Sequence, residues 1–235
     1  MKEAKPQAKE TAGLSLQEFN EAVARRDTRR FLVYLPTTSA AVEAMLKLAG
    51  VTRDDVVYDL GCGDGRIVIA AAKLYGTHGV GVDMDPQRIR EANENARKAG
   101  VEHLVRFEEN DVLNANIREA TVVTLFLLST VNEWLFPKLR DLRPGTRVVS
   151  NTFGIGNWKP DKEFTVEAPD EGKYSRKLYL WSVPAQVESS WMIALSLCGC
   201  SESSLVEALN PKAREQAHAV PPELCDSFRE TGPKC

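Results

Sequence analysis

The chain has 235 residues, enough for one domain of moderate size with a short appendage and a substantial core. A hydrophobic fraction of 43% and a charged fraction of 27% disfavour both wholesale disorder and a membrane-embedded class. With 30 Lys+Arg against 33 Asp+Glu the formal charge is -3, so no global field draws phosphate backbones and no nucleic-acid partner is expected.

Residues 1–13 are polar and lack apolar periodicity, which reads as a frayed terminus. No continuous apolar run occurs in the first twenty residues, so neither a secretory signal nor a membrane segment is expected, and a cytoplasmic location is the default. Leu16, Phe19, Val23 and then Phe31 recur at near-helical spacing, and residues 39–48 place Val42, Met45, Leu46 and Ala49 on one helical face. Between these two helices, residues 33–38 form an extended connector, because the residue before Pro36 avoids the helical region.

A strand and helix alternation begins at Val56. Residues 56–60 read as a strand, 66–74 as a buried helix ended near Gly76, and 79–82 as a second strand. Asp85-Pro86 then supplies a cap acceptor and a first-turn proline to a helix that Gly100 ends. Residues 105–108 make a third strand, 121–128 a strongly apolar fourth, 131–142 a helix closed by Arg143-Pro144-Gly145, and 147–153 a fifth strand. Such alternation implies an α/β fold with a doubly wound, mostly parallel sheet. Residues 163–168 and 177–183 have no helix between them and should pair as an antiparallel hairpin at the sheet edge.

Beyond Gln186 the pattern weakens. Residues 191–197 read as a further strand, and 211–235 as linker or disorder. Four of the five cysteines, Cys198, Cys200, Cys225 and Cys235, crowd this tail. They suggest unpaired thiols rather than a disulfide framework. Cys198-Gly199-Cys200 is too tight for a usual zinc knuckle and His218 lacks a partner histidine, so no metal is expected.

The chemistry concentrates in Asp59-Leu60-Gly61-Cys62-Gly63-Asp64-Gly65, placed between a predicted strand and a predicted helix. Ligands of open α/β sheets bind there, outside the carboxyl ends of the strands. Gly61 and Gly63 allow the backbone to approach a ligand closely, and the following helix offers free N–H groups. The G-x-G-x-G spacing, with Asp59 two residues ahead of it, favours an amino-acid-bearing nucleoside over a pyrophosphate. Asp83 ends the second strand, where its carboxylate can accept from ribose hydroxyls. Asp111 follows the third strand, where it can accept from the exocyclic amine of adenine. Helix capping would explain any one of these acids; the ordered set at successive strand ends points to a cofactor site. Cys62 reads as a small hydrophobe, and His78, His103 and His218 as surface or turn residues.

On these residues the stretch 33–184 resembles the class I S-adenosylmethionine-dependent methyltransferases. Within that class, Tyr34-Leu35-Pro36-Thr37 and the segments Val148-Val149-Ser150-Asn151-Thr152-Phe153 and Asn157-Trp158-Lys159-Pro160 resemble the Dot1-like enzymes and related protein-lysine methyltransferases. The resemblance implies S-adenosyl-L-methionine as cofactor, held by Tyr34, Thr37, Asp59, Gly61, Gly63, Asp83 and Asp111. It implies that Tyr34 and Thr37 form a lid, and that Phe153 and Trp158 line the substrate channel. A packed aromatic remains the other reading of Tyr34, and a structural role the other reading of Trp158. One departure stands out: residues 125–130 lack the asparagine that Dot1-like enzymes carry after the fourth strand.

The expected organisation is a flexible or helical segment over 1–30, a cofactor-binding domain over 31–184, and a partly disordered extension over 185–235. The expected substrate is a protein lysine. Methylation of a small molecule is the alternative within enzymes, and a non-catalytic cofactor-binding protein the alternative outside them. Transfer from a sulfonium needs alignment and desolvation of a neutral nucleophile, and no general base is named.

Overall fold

The computed structural model describes residues 16–31, 34–168 and 174–185. The readings of a frayed 1–13 terminus, of a strand over 191–197, and of the cysteines and His218 in the tail lie outside the described residues.

Helix α1 (Leu16–Arg25) ends where Arg26 takes a positive φ, and a short 3-10 turn (Thr28–Arg30) follows. Helix α2 (Ser39–Leu48) starts at Thr38, whose side chain accepts from the Ala41 N–H at 3.3 Å. The alternation then runs β1 (Val56–Leu60), α3 (Arg66–Tyr75), β2 (His78–Asp83), α4 (Pro86–Ala99), β3 (Val105–Glu109), β4 (Val122–Leu125), α5 (Ser129–Arg140) and β5 (Arg147–Asn151). Asp85 caps α4 by accepting from the Gln87 N–H at 2.8 Å, with Pro86 in the first turn and Gly100 closing the helix. Strands β6 (Lys162–Ala168) and β7 (Tyr174–Ser182) complete the chain's described part.

The sheet order is β3-β2-β1-β4-β5-β7-β6. The first five strands are parallel, and β7 runs antiparallel to both β5 and β6. The expected α/β class, mostly parallel sheet and edge hairpin are therefore those observed. Alternate residues of the central strands feed opposite faces, as the strand period of two requires. Tyr58, Leu60, Val123, Leu125 and Val148 pack with Ala22, Val131, Leu135 and Leu139 on the α1 and α5 side. Val57, Val122 and Val149 pack with Val42, Met45, Leu46 and Val68 on the α2 and α3 side.

Strand order reverses at β1, which lies between β2 and β4. That reversal opens a crevice at the carboxyl ends of these strands, where ligands of such sheets bind.

Two strands are shorter than their apolar runs. The β1 and β4 register ends at Leu60 opposite Leu125, because β1 leaves the sheet at the glycine turn; Phe126, Leu127 and Leu128 are thus loop, and α5 starts at Ser129 rather than 131. Strand β5 ends at Asn151 because Thr152 takes φ +69 and sends its N–H to the Lys177 carbonyl at 2.7 Å. Among the described residues, no helix is long and apolar enough to cross a membrane.

Candidate functional site

The glycine turn hooks over the end of β2: the Gly61 and Cys62 N–H groups both donate to the Val82 carbonyl, at 2.8 and 3.0 Å. Gly63 has φ +53, and a Cβ there would lie 2.6 Å from Cε2 of Tyr34. Any side chain at Gly63 therefore meets both backbone strain and a ring. Cys62 is buried, and burial raises its thiol pKa, so it is a packed thiol and no nucleophile.

Asp59 is 2% exposed, and its Oδ1 accepts from the Thr124 hydroxyl at 2.7 Å. Burial pushes its carboxyl up to about 7, with the Thr124 bond opposing and the Asp83 and Asp64 charges adding to the shift. A cationic ligand group beside it would favour the ionised form. Asp83 accepts from the Gly63 N–H through Oδ2 at 2.8 Å and from the Asp85 N–H through Oδ1 at 3.0 Å. Burial holds its carboxyl above the ordinary range despite these bonds. Each oxygen keeps acceptor capacity for a further donor.

Asp111 accepts from the Leu113 N–H at 2.9 Å and from the Thr28 hydroxyl at 2.7 Å. Thr28 is buried, and neighbouring Phe31 meets Trp134 edge-on at 5.3 Å. The N-terminal segment thus reaches the site, which the sequence reading of 1–30 did not anticipate; a hydroxyl after a helix carries no distinctive signal.

The pre-strand loop is tied to the glycine turn by Arg66. Its guanidinium grips the Asp64 carboxylate with Nε and Nη2, at 2.9 and 2.7 Å, while Nη1 donates to the Thr37 carbonyl at 2.7 Å. Thr37 is buried; Tyr34 is 45% exposed, with the Arg88 guanidinium 3.9 Å from its ring centroid. Burial, then the nearby Asp64 charge, raises the Tyr34 hydroxyl pKa. Tyr34 is therefore not an aromatic packed between helices: it lies over Gly63 at the mouth of the turn.

On the far side of the crevice, Phe153 stacks on Phe126 with ring centroids 6.4 Å apart. Trp158 instead packs against Phe136 and Trp181, at 5.6 and 5.8 Å, and its carbonyl accepts from the Trp181 indole at 2.9 Å. The two aromatics read together from the sequence thus join different clusters. Asn132, in α5, was missed: it is fully buried and donates to the carbonyls of Gly154 and Phe153, at 3.1 and 3.4 Å. Its signal was a polar residue on the stripe it shares with Leu135 and Leu139.

Strand-end carboxylates and a side-chain-free turn at the switch point, with an exposed tyrosine over it, fit an adenosyl amino acid and define a nucleoside-binding domain of the methyltransferase type. Residues 59–162 match the family model described as the ANTKMT methyltransferase domain. A protein-lysine N-methyltransferase of Saccharolobus islandicus is 47% identical over 152 residues, spanning 64% of this chain and 92% of that protein. An adenine nucleotide translocase lysine N-methyltransferase of Mus musculus is 33% identical, and the match spans 54% of this chain and 56% of that relative. A crystal structure described as an RNA methyltransferase from Salinibacter ruber, in complex with S-adenosyl-L-homocysteine, is 48% identical with TM-score 0.60, covering 65% of this chain and 96% of that one. The chain belongs to the class I S-adenosylmethionine-dependent methyltransferases, and its cofactor is S-adenosyl-L-methionine.

Proposed function

We propose that this methyltransferase N-methylates a lysine side chain of a protein substrate. The observation that carries the reading is the 47% identity to a protein-lysine N-methyltransferase across 92% of that relative's length. The Phe126 and Phe153 pair beside the crevice supports it, since an apolar aromatic wall suits the methylene stem of a lysine.

In this proposal Asp59, Gly61, Gly63, Asp83 and Asp111 hold the cofactor, and Tyr34 and Thr37 close over it. Bound there, S-adenosylmethionine supplies an electrophilic methyl group on a sulfonium. Asp83 accepts from the ribose while its bond to Gly63 keeps the turn in place. Asp59 provides negative charge for the cationic amino-acid end. Arg66 holds the Thr37 loop against the turn and so limits water entry.

The acceptor amine has an ordinary pKa of about 10.4 and must reach the site unprotonated. Phe126 and Phe153 disfavour the ammonium by desolvation, which lowers that pKa and replaces a dedicated base. Trp158 packs against Phe136 and Trp181, in a cluster separate from this pair.

A second reading is methylation of RNA, favoured by the description of the 48% identical Salinibacter ruber structure. The formal charge of -3 argues against it. Incubation with methyl-labelled cofactor and a lysate, followed by separation of protein, RNA and metabolites, separates these readings: label on protein lysine is expected, and label confined to RNA or metabolites contradicts the proposal.

A further inference from the structure

We infer that Asn132 is a positioning residue for the methyl acceptor, acting through the Phe153 ring. The inference rests on the reading of the Phe126 and Phe153 pair as one wall of the acceptor path.

Asn132 occupies a position where packing alone favours a leucine. It is fully buried on the apolar stripe of α5, among Val131, Leu135 and Leu139. Its Oδ1 has no hydrogen-bond partner among the described residues. A buried amide with an unpaired acceptor is costly, so its presence calls for a specific role. What the amide does is visible in its other end: Nδ2 donates to the carbonyls of Gly154 and Phe153, at 3.1 and 3.4 Å.

These carbonyls belong to the turn through which the chain leaves β5. The chain leaves β5 through Thr152 at φ +69, a left-handed conformation unfavourable for a β-branched residue. Phe153 then closes a tight turn by donating its N–H to the Asn151 carbonyl at 2.8 Å. Gly154 follows, with open space around the position of a Cβ. Ser150 Oγ donates to the Phe153 carbonyl at 2.6 Å, so α5 and β5 each contribute one donor to that oxygen. Asn132 ties the first residues of this segment to the helix after β4, the same connection that carries Phe126, as Phe136 does further along through Trp158. The amide thereby fixes where the Phe153 ring sits against the Phe126 ring, the two lying on separate loops and stacking to form one side of the path.

The test is a double-mutant cycle on kcat/KM for the acceptor, with cofactor affinity by calorimetry and thermal denaturation beside it. Asn132→Ala should lower kcat/KM about tenfold and change cofactor affinity less than about twofold; in a Phe153→Ala background it should cost less than about twofold more. A loss that persists in full in that background, or an equal fall in cofactor affinity, overturns the inference, because a merely structural asparagine would act regardless of the ring. If Asn132→Ala does not fold, Ser150→Ala probes the same carbonyl through the same cycle. An unchanged kcat/KM in Phe153→Ala removes the wall reading and the positioning role together. The cycle is read on whichever acceptor takes the label, so a non-lysine product with the coupling intact overturns only the lysine assignment.

Discussion

Asp83 Oδ2 accepts the backbone N–H of Gly63 at 2.8 Å, so the carboxylate that ends β2 also fixes the glycine turn after β1. One side chain thus carries a ligand-facing role and a scaffolding role. Asp83→Ala removes both and should cost about 1.5–3 kcal/mol of cofactor affinity. Calorimetric titration with S-adenosylmethionine checks this, and an unchanged dissociation constant would remove Asp83 from the site.

Gly63 is the turn position least able to carry a side chain. Its φ of +53 strains any other residue, and an added Cβ would lie 2.6 Å from the Tyr34 ring. Gly63→Ala should weaken cofactor binding by about tenfold or more and lower the melting temperature, and Tyr34→Ala added to it should recover only the steric part of that stability loss. Full recovery would mean that the backbone conformation does not matter.

Asp59 makes the unbound enzyme sensitive to pH. Its folded carboxyl is raised from 3.8 to about 7, chiefly by burial, so the folded state binds this proton more tightly than the unfolded chain does. The stability this group contributes is present below the unfolded value and is lost as pH rises through about 7. Asp59→Asn should flatten that part of the stability profile in denaturant titrations at fixed pH. If Asp59 faces the cationic end of the cofactor, binding at about pH 6 also releases a proton, seen by calorimetry in buffers of different ionisation enthalpy.

Trp158 and Phe153 should separate cleanly. Trp158 packs on Phe136 and Trp181, so Trp158→Ala should lower the melting temperature. Phe153, half-buried on its loop, should lose turnover on truncation with little change in melting temperature. Thermal denaturation beside turnover checks the pair, and the opposite pattern would return Trp158 to the channel.

The parallel core was legible because its elements announce themselves locally. Gly65 and Gly76 bracket α3, Asp85-Pro86 and Gly100 bracket α4, and both signals lie within a few residues of what they define. The glycine turn and the acids at strand ends were legible for the same reason. What escaped was set by distant partners. The apolar run after Leu125 reads as strand, yet it leaves the sheet because β1 has already turned away. Thr28 reaches Asp111 across 83 residues, and Asn132 reaches Gly154 across 22. Neither separation leaves a periodic trace, nor does the bond from the Trp181 indole to the Trp158 carbonyl, which comes from a strand still further along.

The purified enzyme, given methyl-labelled S-adenosylmethionine and a lysate, is followed by mass spectrometry of the products across neutral pH. Methyl groups are expected on the Nε of protein lysines, at a rate that rises with pH because only the unprotonated amine reacts and its ordinary pKa is about 10.4. Methyl groups found only on RNA, on small metabolites or on oxygen would contradict the lysine assignment and leave the cofactor site standing.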